Sequence, residues 1–394
     1  MGDLRAATPL RRIVLHYDEL AIGVATPREA DAEWLADALS PGFSISPDGA
    51  ADVEVELHID AARFAELERR GRAAHSERVA GVILDDSTAH FERWTDEPAA
   101  RVASARIAVP SHTAFDSDFR VFYEVARGPS VRITATTGEL CRLPLLRVVR
   151  EFAMEASIRR GDVFLHAASL CVDGRAIVIA GSKGSGKTTS LSWSLQLLED
   201  AQFIGNDRVR LRACGGGFDV RAMPTMLAFR PEGLELLPVL DAAVRAERGK
   251  PYHSNSEVRE REDIEPLTPF DDGRLGLRPL RYPQLLGRRS TASARAGAIV
   301  FPEIVADESG LRPSAIDRSE GASRLAEALF GAGNLARRSE MFSLPVAGPF
   351  PSETELRERT RRITECVPCY RWQVGRAAPR DADGLRRFVA GLGG

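Results

Sequence analysis

Gly181-Ser182-Lys183-Gly184-Ser185-Gly186-Lys187-Thr188 matches the phosphate-cradling pattern G-x-x-x-x-G-K-[ST]. Each residue type in it has a physical task. Glycine lets the backbone take conformations that a side chain forbids, so successive N–H groups can converge on one concavity. A helix opening where the loop ends adds its N-terminal amides and its positive dipole end. Lys187 is a compact cation able to reach β- and γ-phosphates, and the Thr188 hydroxyl suits the shell of Mg²⁺. The segment from Gly181 to Thr189 is therefore expected to bind ATP with Mg²⁺. The competing reading is a glycine-rich turn with a structural use only.

Such a loop works only between a strand and a helix, and the flanking residues predict both. Ala176–Ala180 is a continuous apolar run, and Asp173-Gly174 before it is a strong hairpin signal. After the loop, Leu191, Leu195 and Leu198 fall on one face of an amphipathic helix. Val163–Leu165 reads as a short strand that ends at His166, and Phe203-Ile204 as one that ends at Asn206-Asp207. Further on, Ala298–Phe301 and Tyr370–Val374 read as strands, Ser319–Leu329 as a helix, and Cys214-Gly215-Gly216-Gly217 as a hairpin tip. Arg245–Asp272 is charged, carries three prolines and lacks periodicity. It reads as a mobile loop, either one that meets a substrate or a plain linker.

The first 144 residues predict a separate α/β accessory domain, with residues 145–394 forming the domain that carries the loop. Thr26-Pro27-Arg28-Glu29 has the form of a capping box with proline at the first helical position, opening a helix through Leu39. Val53, Val55, Leu57 and Ile59 alternate with polar residues as in a half-buried strand. Val79–Leu84, Arg101–Val109, Arg120–Val125 and Val131–Thr136 also look β-like, and Leu145–Arg159 has helical composition.

Bulk properties exclude several classes. With 53 basic and 56 acidic residues in 394, the net charge of −3 calls for neither nucleic acid nor a membrane surface. No apolar run nears the roughly 18 residues that span a bilayer, and the N-terminus has no signal-peptide core. Five cysteines, mostly scattered, predict a reduced cytoplasmic protein. Cys366-x-x-Cys369 has redox or zinc spacing, but no second ligand pair accompanies it, so buried small residues are the expected role. Asp85-Asp86 reads as a polar turn. A motor or transport ATPase is disfavoured, since no LSGGQ-like segment and no apolar strand ending in Asp-Glu follows the loop.

Phe164-Leu165-His166-Ala167-Ala168-Ser169, Asp173-Gly174-Arg175, the glycine loop and Asn206-Asp207-Arg208-Val209 together resemble the core of the HPr serine kinase/phosphorylase family and its relatives. In that family a histidine ends a strand about twenty residues before the loop lysine, and here the separation is twenty-one. The likeness spans Arg147–Leu211, is weaker over Met223–Leu237, where Phe229-Arg230-Pro231-Glu232-Gly233 resembles an arginine-containing strand end, and recurs at Cys366–Trp372. It implies a P-loop kinase core of the HPr kinase/PEP carboxykinase-like type on a mixed twisted sheet. It also implies that Lys187 holds phosphates, that Thr188 and Asp207 hold Mg²⁺, and that His166 lies beside the acidic segment. Candidate cations for the transferring phosphoryl group are Arg230, Arg208 and Lys250.

The chain departs from the family pattern at two places. Asn206 stands where the family has the aspartate assigned as base, and an amide cannot hold a proton as a carboxylate does. Either His166 takes the proton, or a loose transition state needs no base, or the acceptor differs, or turnover is slight. Ala228 stands where HPr kinase has a glutamate, which points to the related group and away from HPr itself as substrate. The expected activity is transfer of the γ-phosphoryl of ATP to a hydroxyl of a peptide, a protein serine or a small molecule. The alternative is a nucleotide-binding regulator or scaffold with little turnover. HPr kinase is hexameric, and the partial likeness leaves a homo-oligomer open.

Overall fold

The computed structural model describes residues 10–79, 91–94, 112–116, 121–126, 130–137, 142–182, 184–225, 227–229, 237–247, 275–307, 309–330 and 350–392. The chain is mixed α/β and divides into two compact units, each with its own mixed sheet. The first takes in residues 10–37 and the described part of 43–156, and the second takes in 38–42 and the described residues from Ser157 onward. The helix Arg142–Arg159 runs across that division.

The first unit holds a nine-stranded sheet. Arg11–Tyr17 and Leu20–Thr26 form an opening hairpin, and Leu20–Thr26, Val53–Ile59 and Ser130–Ala135 lie parallel to one another. The alternating strand Val53–Ile59 is as expected, with Val53, Val55 and Leu57 inside. The helix Glu29–Leu39 is present, but its capping box is not: the Thr26 hydroxyl donates to the Arg28 carbonyl, and Arg28 turns to Asp31. A second helix, Ala61–Gly71, is capped by the Asp60 carboxylate at the Arg63 amide and sets Phe64 and Leu67 on Phe122. Of the β-like runs, Arg120–Val125 and Val131–Thr136 appear as Val121–Ala126 and Ser130–Ala135. Val79 ends the strand Ser76–Val79, while the rest of that run, Arg101–Val109 and Asp85-Asp86 lie outside the described residues.

The second unit is built on a ten-stranded sheet. Ala167–Val172 and Arg175–Ala180 form the predicted hairpin, with Asp173 and Gly174 both at positive φ in the turn. Arg175–Ala180 then pairs in parallel with Ser293–Ile304, which pairs in parallel with Cys369–Val374. On the other side, Ala167–Val172 pairs with Gln202–Gly205. A second arm, Val163–Leu165, Val209–Cys214 and Gly217–Ala222, joins the start of Ser293–Ile304. Strand Ser293–Ile304 is thus shared: its first residues meet Gly217–Ala222 and its last meet Cys369–Val374.

The helix after the loop, Lys187–Leu197, packs Leu191, Trp193 and Leu195 into the core with Ile177, Ile179 and Val300. It is not amphipathic in the expected sense. Ser190, Ser192 and Ser194 are buried as well, because short hydroxyls let the opposite face be covered. Helix Arg318–Glu327 starts from an Asp317 cap, where the carboxylate accepts from the Ser319 and Glu320 amides. The expected loop Arg245–Asp272 begins inside a helix, Pro238–Glu247, and the remainder lies outside the described residues. Among the described residues no helix is long and apolar enough to cross a membrane. Cys171, Cys214, Cys366 and Cys369 are unpaired. Cys369 is buried, which pushes its thiol up to about 12, whereas Cys366 is exposed at the end of helix Glu353–Cys366, so the expectation of two buried residues holds for one only.

Candidate functional site

The loop leaves the end of strand Arg175–Ala180 and closes into helix Lys187–Leu197. Gly184 and Gly186 both have positive φ, near +86° and +89°, a region costly for other residues. At Gly181 a β-carbon would lie 2.6 Å from Ser185 Oγ, so a side chain there would force Ser185 to shift. Gly186 is the helix N-cap and offers no side chain, which leaves the first-turn amides open to an anion. Ser185 Oγ is buried without a hydrogen-bond partner. A buried hydroxyl without a partner, beside glycines at positive φ and a helix N-terminus without a side-chain cap, is what a phosphate group would complete.

Lys187 is folded back on this loop. Its Nζ donates to the carbonyls of Gly181 and Ser182 at 2.9 and 2.7 Å, and the side chain is buried. Burial lowers its pKa to about 8, and the nearby Asp207 carboxylate works weakly the other way. Thr188 and Thr189 follow in the first helical turn, both partly exposed, and Ser182 and Gly184 are exposed on the outer loop. Lys183, Arg230 and Lys250 lie outside the described residues.

Three other segments bring polar groups to the loop. The Thr188 hydroxyl donates to Asn206 Oδ1 at 3.2 Å. Asn206 is itself held fast: its carbonyl accepts from the buried Thr225 hydroxyl at 2.7 Å and from the Arg208 amide at 2.8 Å. This tight turn puts Asp207 at φ +68°, a left-handed conformation unusual for a non-glycine residue, although aspartate is among those that tolerate it. Observed backbone outliers of this kind gather at functional sites.

Asp207 points to His166, with Nε2 at 3.2 Å from Oδ1, and its other oxygen lies 3.7 Å from Arg208 Nε. His166 sits at the corner where strand Val163–Leu165 gives way to Ala167–Val172. The corner is braced from outside the sheet, since the His166 amide donates to the Ala328 carbonyl and the Phe330 amide to the Phe164 carbonyl. The Arg208 guanidinium lies over the Phe330 ring at 4.6 Å. Residues from the glycine loop, the His166 corner and the Asn206–Arg208 turn are thus linked, through the Thr188–Asn206 bond and the His166–Asp207 contact.

The oxygen donors of these segments are the Thr188 hydroxyl, the Asn206 amide oxygen bonded to it and the carboxylate of Asp207, the next residue in the turn. Hard oxygen donors of low total charge suit Mg²⁺, which keeps several waters and takes phosphate oxygens as further ligands. Among the described residues no cluster of three His, Cys, Asp or Glu side chains forms a metal cage.

Tyr282 escaped notice in the sequence. Its hydroxyl donates to Ser192 Oγ at 2.7 Å, and Ser192 donates to the Thr188 carbonyl at 2.7 Å. Its ring meets Phe203, on the strand leading to Asn206, edge-on, and lies tilted against Phe229. Full burial raises its pKa well above the usual phenol value, so it stays a neutral donor. A lone tyrosine in the short segment Leu280–Leu285 carries no motif that would have exposed it. Tyr282→Phe is expected to lose about 1 kcal/mol, read as a fall in Tm of about 2 °C, because one buried hydrogen bond goes while the rings still pack. A fall beyond about 8 °C would show the hydroxyl to be part of a larger network than the one described.

No family model matches the chain, and no curated protein matches it.

Proposed function

We propose that this chain is an ATP-dependent kinase of the HPr-kinase-like type. In this reading it acts in the reducing cytoplasm and moves the γ-phosphoryl group of Mg²⁺–ATP to a hydroxyl. The acceptor is a peptide, a protein serine or a small molecule. The observation that carries the reading is that the glycine loop stands beside a His166–Asp207 pair, with Asn206 linking the two through Thr188. A simple phosphate-binding turn has no need of such a neighbour.

Each residue has a role that follows from its surroundings. The loop amides and Lys187 hold the phosphates, and Lys187 must leave the Gly181 and Ser182 carbonyls to do so. Thr188 and Asp207 would hold Mg²⁺, which when bound supplies positive charge against that developing on the transferring group. Asn206 positions Thr188 and fixes the turn; buried and bonded through Oδ1, it is no base. Proton removal from the acceptor falls to the His166–Asp207 pair, in which the carboxylate orients the imidazole. Arg208, held over Phe330, brings its Nε to 3.7 Å from the Asp207 carboxylate, and Arg230 remains a candidate.

The test is incubation with γ-labelled ATP, Mg²⁺ and a host extract, with the label followed to its product. Transfer to a peptide, protein or small molecule supports the kinase and identifies its acceptor. Label confined to ATP and free phosphate removes the claim for that acceptor pool.

The buried amide of Asn206 favours a second reading, a nucleotide-binding regulator with little turnover. Asp has the size and acceptor oxygen of Asn, so Asn206→Asp can keep the Thr188 bond. The kinase reading expects the variant to raise transfer about 3- to 10-fold, as a second carboxylate joins the site. An unchanged, barely measurable rate would favour the regulator.

A further inference from the structure

The glycine loop has two unlike flanks. On one, strand Ala167–Val172 and its neighbour Gln202–Gly205 lead to His166, Asn206 and Asp207, all polar. On the other, strand Ser293–Ile304 runs parallel to the loop's own strand and ends at Ile304. Ile304 is 60 % exposed, more than Ile45, Ile59 or Val239. It does not hang free: its Cδ1 would lie 2.9 Å from a β-carbon built on Gly186. An apolar side chain is thus laid against the last glycine of the loop while most of its surface faces solvent.

Beyond Ile304 the chain forms a ledge with the end of the next parallel strand, Cys369–Val374. The Val305 amide donates to the Val374 carbonyl, the Arg376 amide to the Asp307 carbonyl and the Ala377 amide to the Ser309 carbonyl. Asp307 is tied in place by the Ser309 amide and by Arg312. Its carboxylate is held below the usual range by the Ser309 hydroxyl and amide, with Arg312 adding to the effect. Three parallel strands therefore present their carboxyl ends side by side, where open α/β sheets bind ligands.

We propose that the nucleoside half of the nucleotide lies against Ile304 on this ledge. The proposal rests on the nucleotide reading of the loop. If the phosphates lie in the loop and the reacting γ-phosphoryl group faces His166 and Asp207, the nucleoside must leave by the opposite flank. That flank offers an exposed apolar side chain, and the flat face of a base gains by covering it. Ile304 is then an affinity-determining residue with no part in phosphate binding.

The experiment compares two ligands, ATP and inorganic tripolyphosphate, each titrated with Mg²⁺ into wild type, Ile304→Ala and Ile304→Leu by calorimetry. Tripolyphosphate carries the charges but no nucleoside. The expected result is a Kd for ATP raised about 5- to 10-fold in Ile304→Ala, nearly restored in Ile304→Leu, with tripolyphosphate unchanged. Equal weakening of both ligands would show that Ile304 only braces Gly186, and no weakening of either would show that the nucleoside lies elsewhere. Both outcomes overturn the proposal. Wild type binding neither ligand would remove the nucleotide reading itself, and this proposal with it.

Discussion

Lys187→Ala is expected to reduce phosphoryl transfer by about 10²–10³-fold or more, the loss typical of removing one preorganised charge from a transition state. The variant should still fold, because the loop's shape is set by Gly181, Gly184 and Gly186 and by the strand and helix that flank it. Its melting temperature and circular dichroism check that point. Retained transfer within about 3-fold of wild type would sink the P-loop assignment.

The same lysine has a signature in pH. In the free protein its pKa is lowered to about 8 by burial, and phosphate oxygens beside it must raise that value again. Nucleotide binding near pH 8.5 should therefore be accompanied by proton uptake. Calorimetry in buffers of different ionisation enthalpy measures this uptake directly, and Lys187→Ala should abolish it. The sign for stability follows from the same shift. With the folded pKa depressed below the ordinary lysine value, the unfolded chain holds more protons between about pH 8 and 10. Wild type without nucleotide should gain stability as pH rises through that window, and Lys187→Ala should lack the gain.

Legibility in the sequence followed the range of the interactions. The glycine loop was legible because its requirements are local: positive φ at Gly184 and Gly186, a cation and a hydroxyl at fixed offsets. The hairpin at Asp173-Gly174 was legible for the same reason. His166 and Asp207 were named from spacing and resemblance, but their contact depends on a corner held by Ala328 and Phe330, far along the chain. The Thr188–Asn206 bond and the Tyr282–Ser192 bond had no sequence signal, since both are made by elements that only the sheet order brings together. In the first unit, Leu20–Thr26 was missed because it is buried nearly throughout, so it shows no alternation. Arg11–Tyr17 was missed with it, since its turn at Asp18-Glu19 lacks glycine. The Thr26 capping box shows the opposite fault, a local pattern overruled once Arg28 found Asp31.

Asp207→Asn and His166→Ala should each lower the rate of transfer on the order of 10²–10³-fold, yet by separable routes. Asparagine tolerates left-handed backbone as aspartate does, so Asp207→Asn keeps the turn at φ +68° and removes only the charge. The loss then reports on the carboxylate and not on a refolded loop. If Asp207 both orients His166 and faces the metal, its variant should need more Mg²⁺ for half-maximal rate as well as turning over more slowly. His166→Ala leaves the carboxylate in place, so its Mg²⁺ requirement and ATP affinity should stay near wild type while kcat falls. Single-turnover transfer measured across a Mg²⁺ titration separates the two patterns. If both variants transfer within about 3-fold of wild type, the pair serves structure only, and the strained turn would have to be explained by packing. If His166→Ala alone is silent, Asp207 is the group that accepts the proton, and the imidazole merely holds it. The 3.2 Å contact between them is the same in either case, so only the double variant can say whether the two act as one unit. Its loss should match the larger single loss if they do, and should approach the product of the two if they do not.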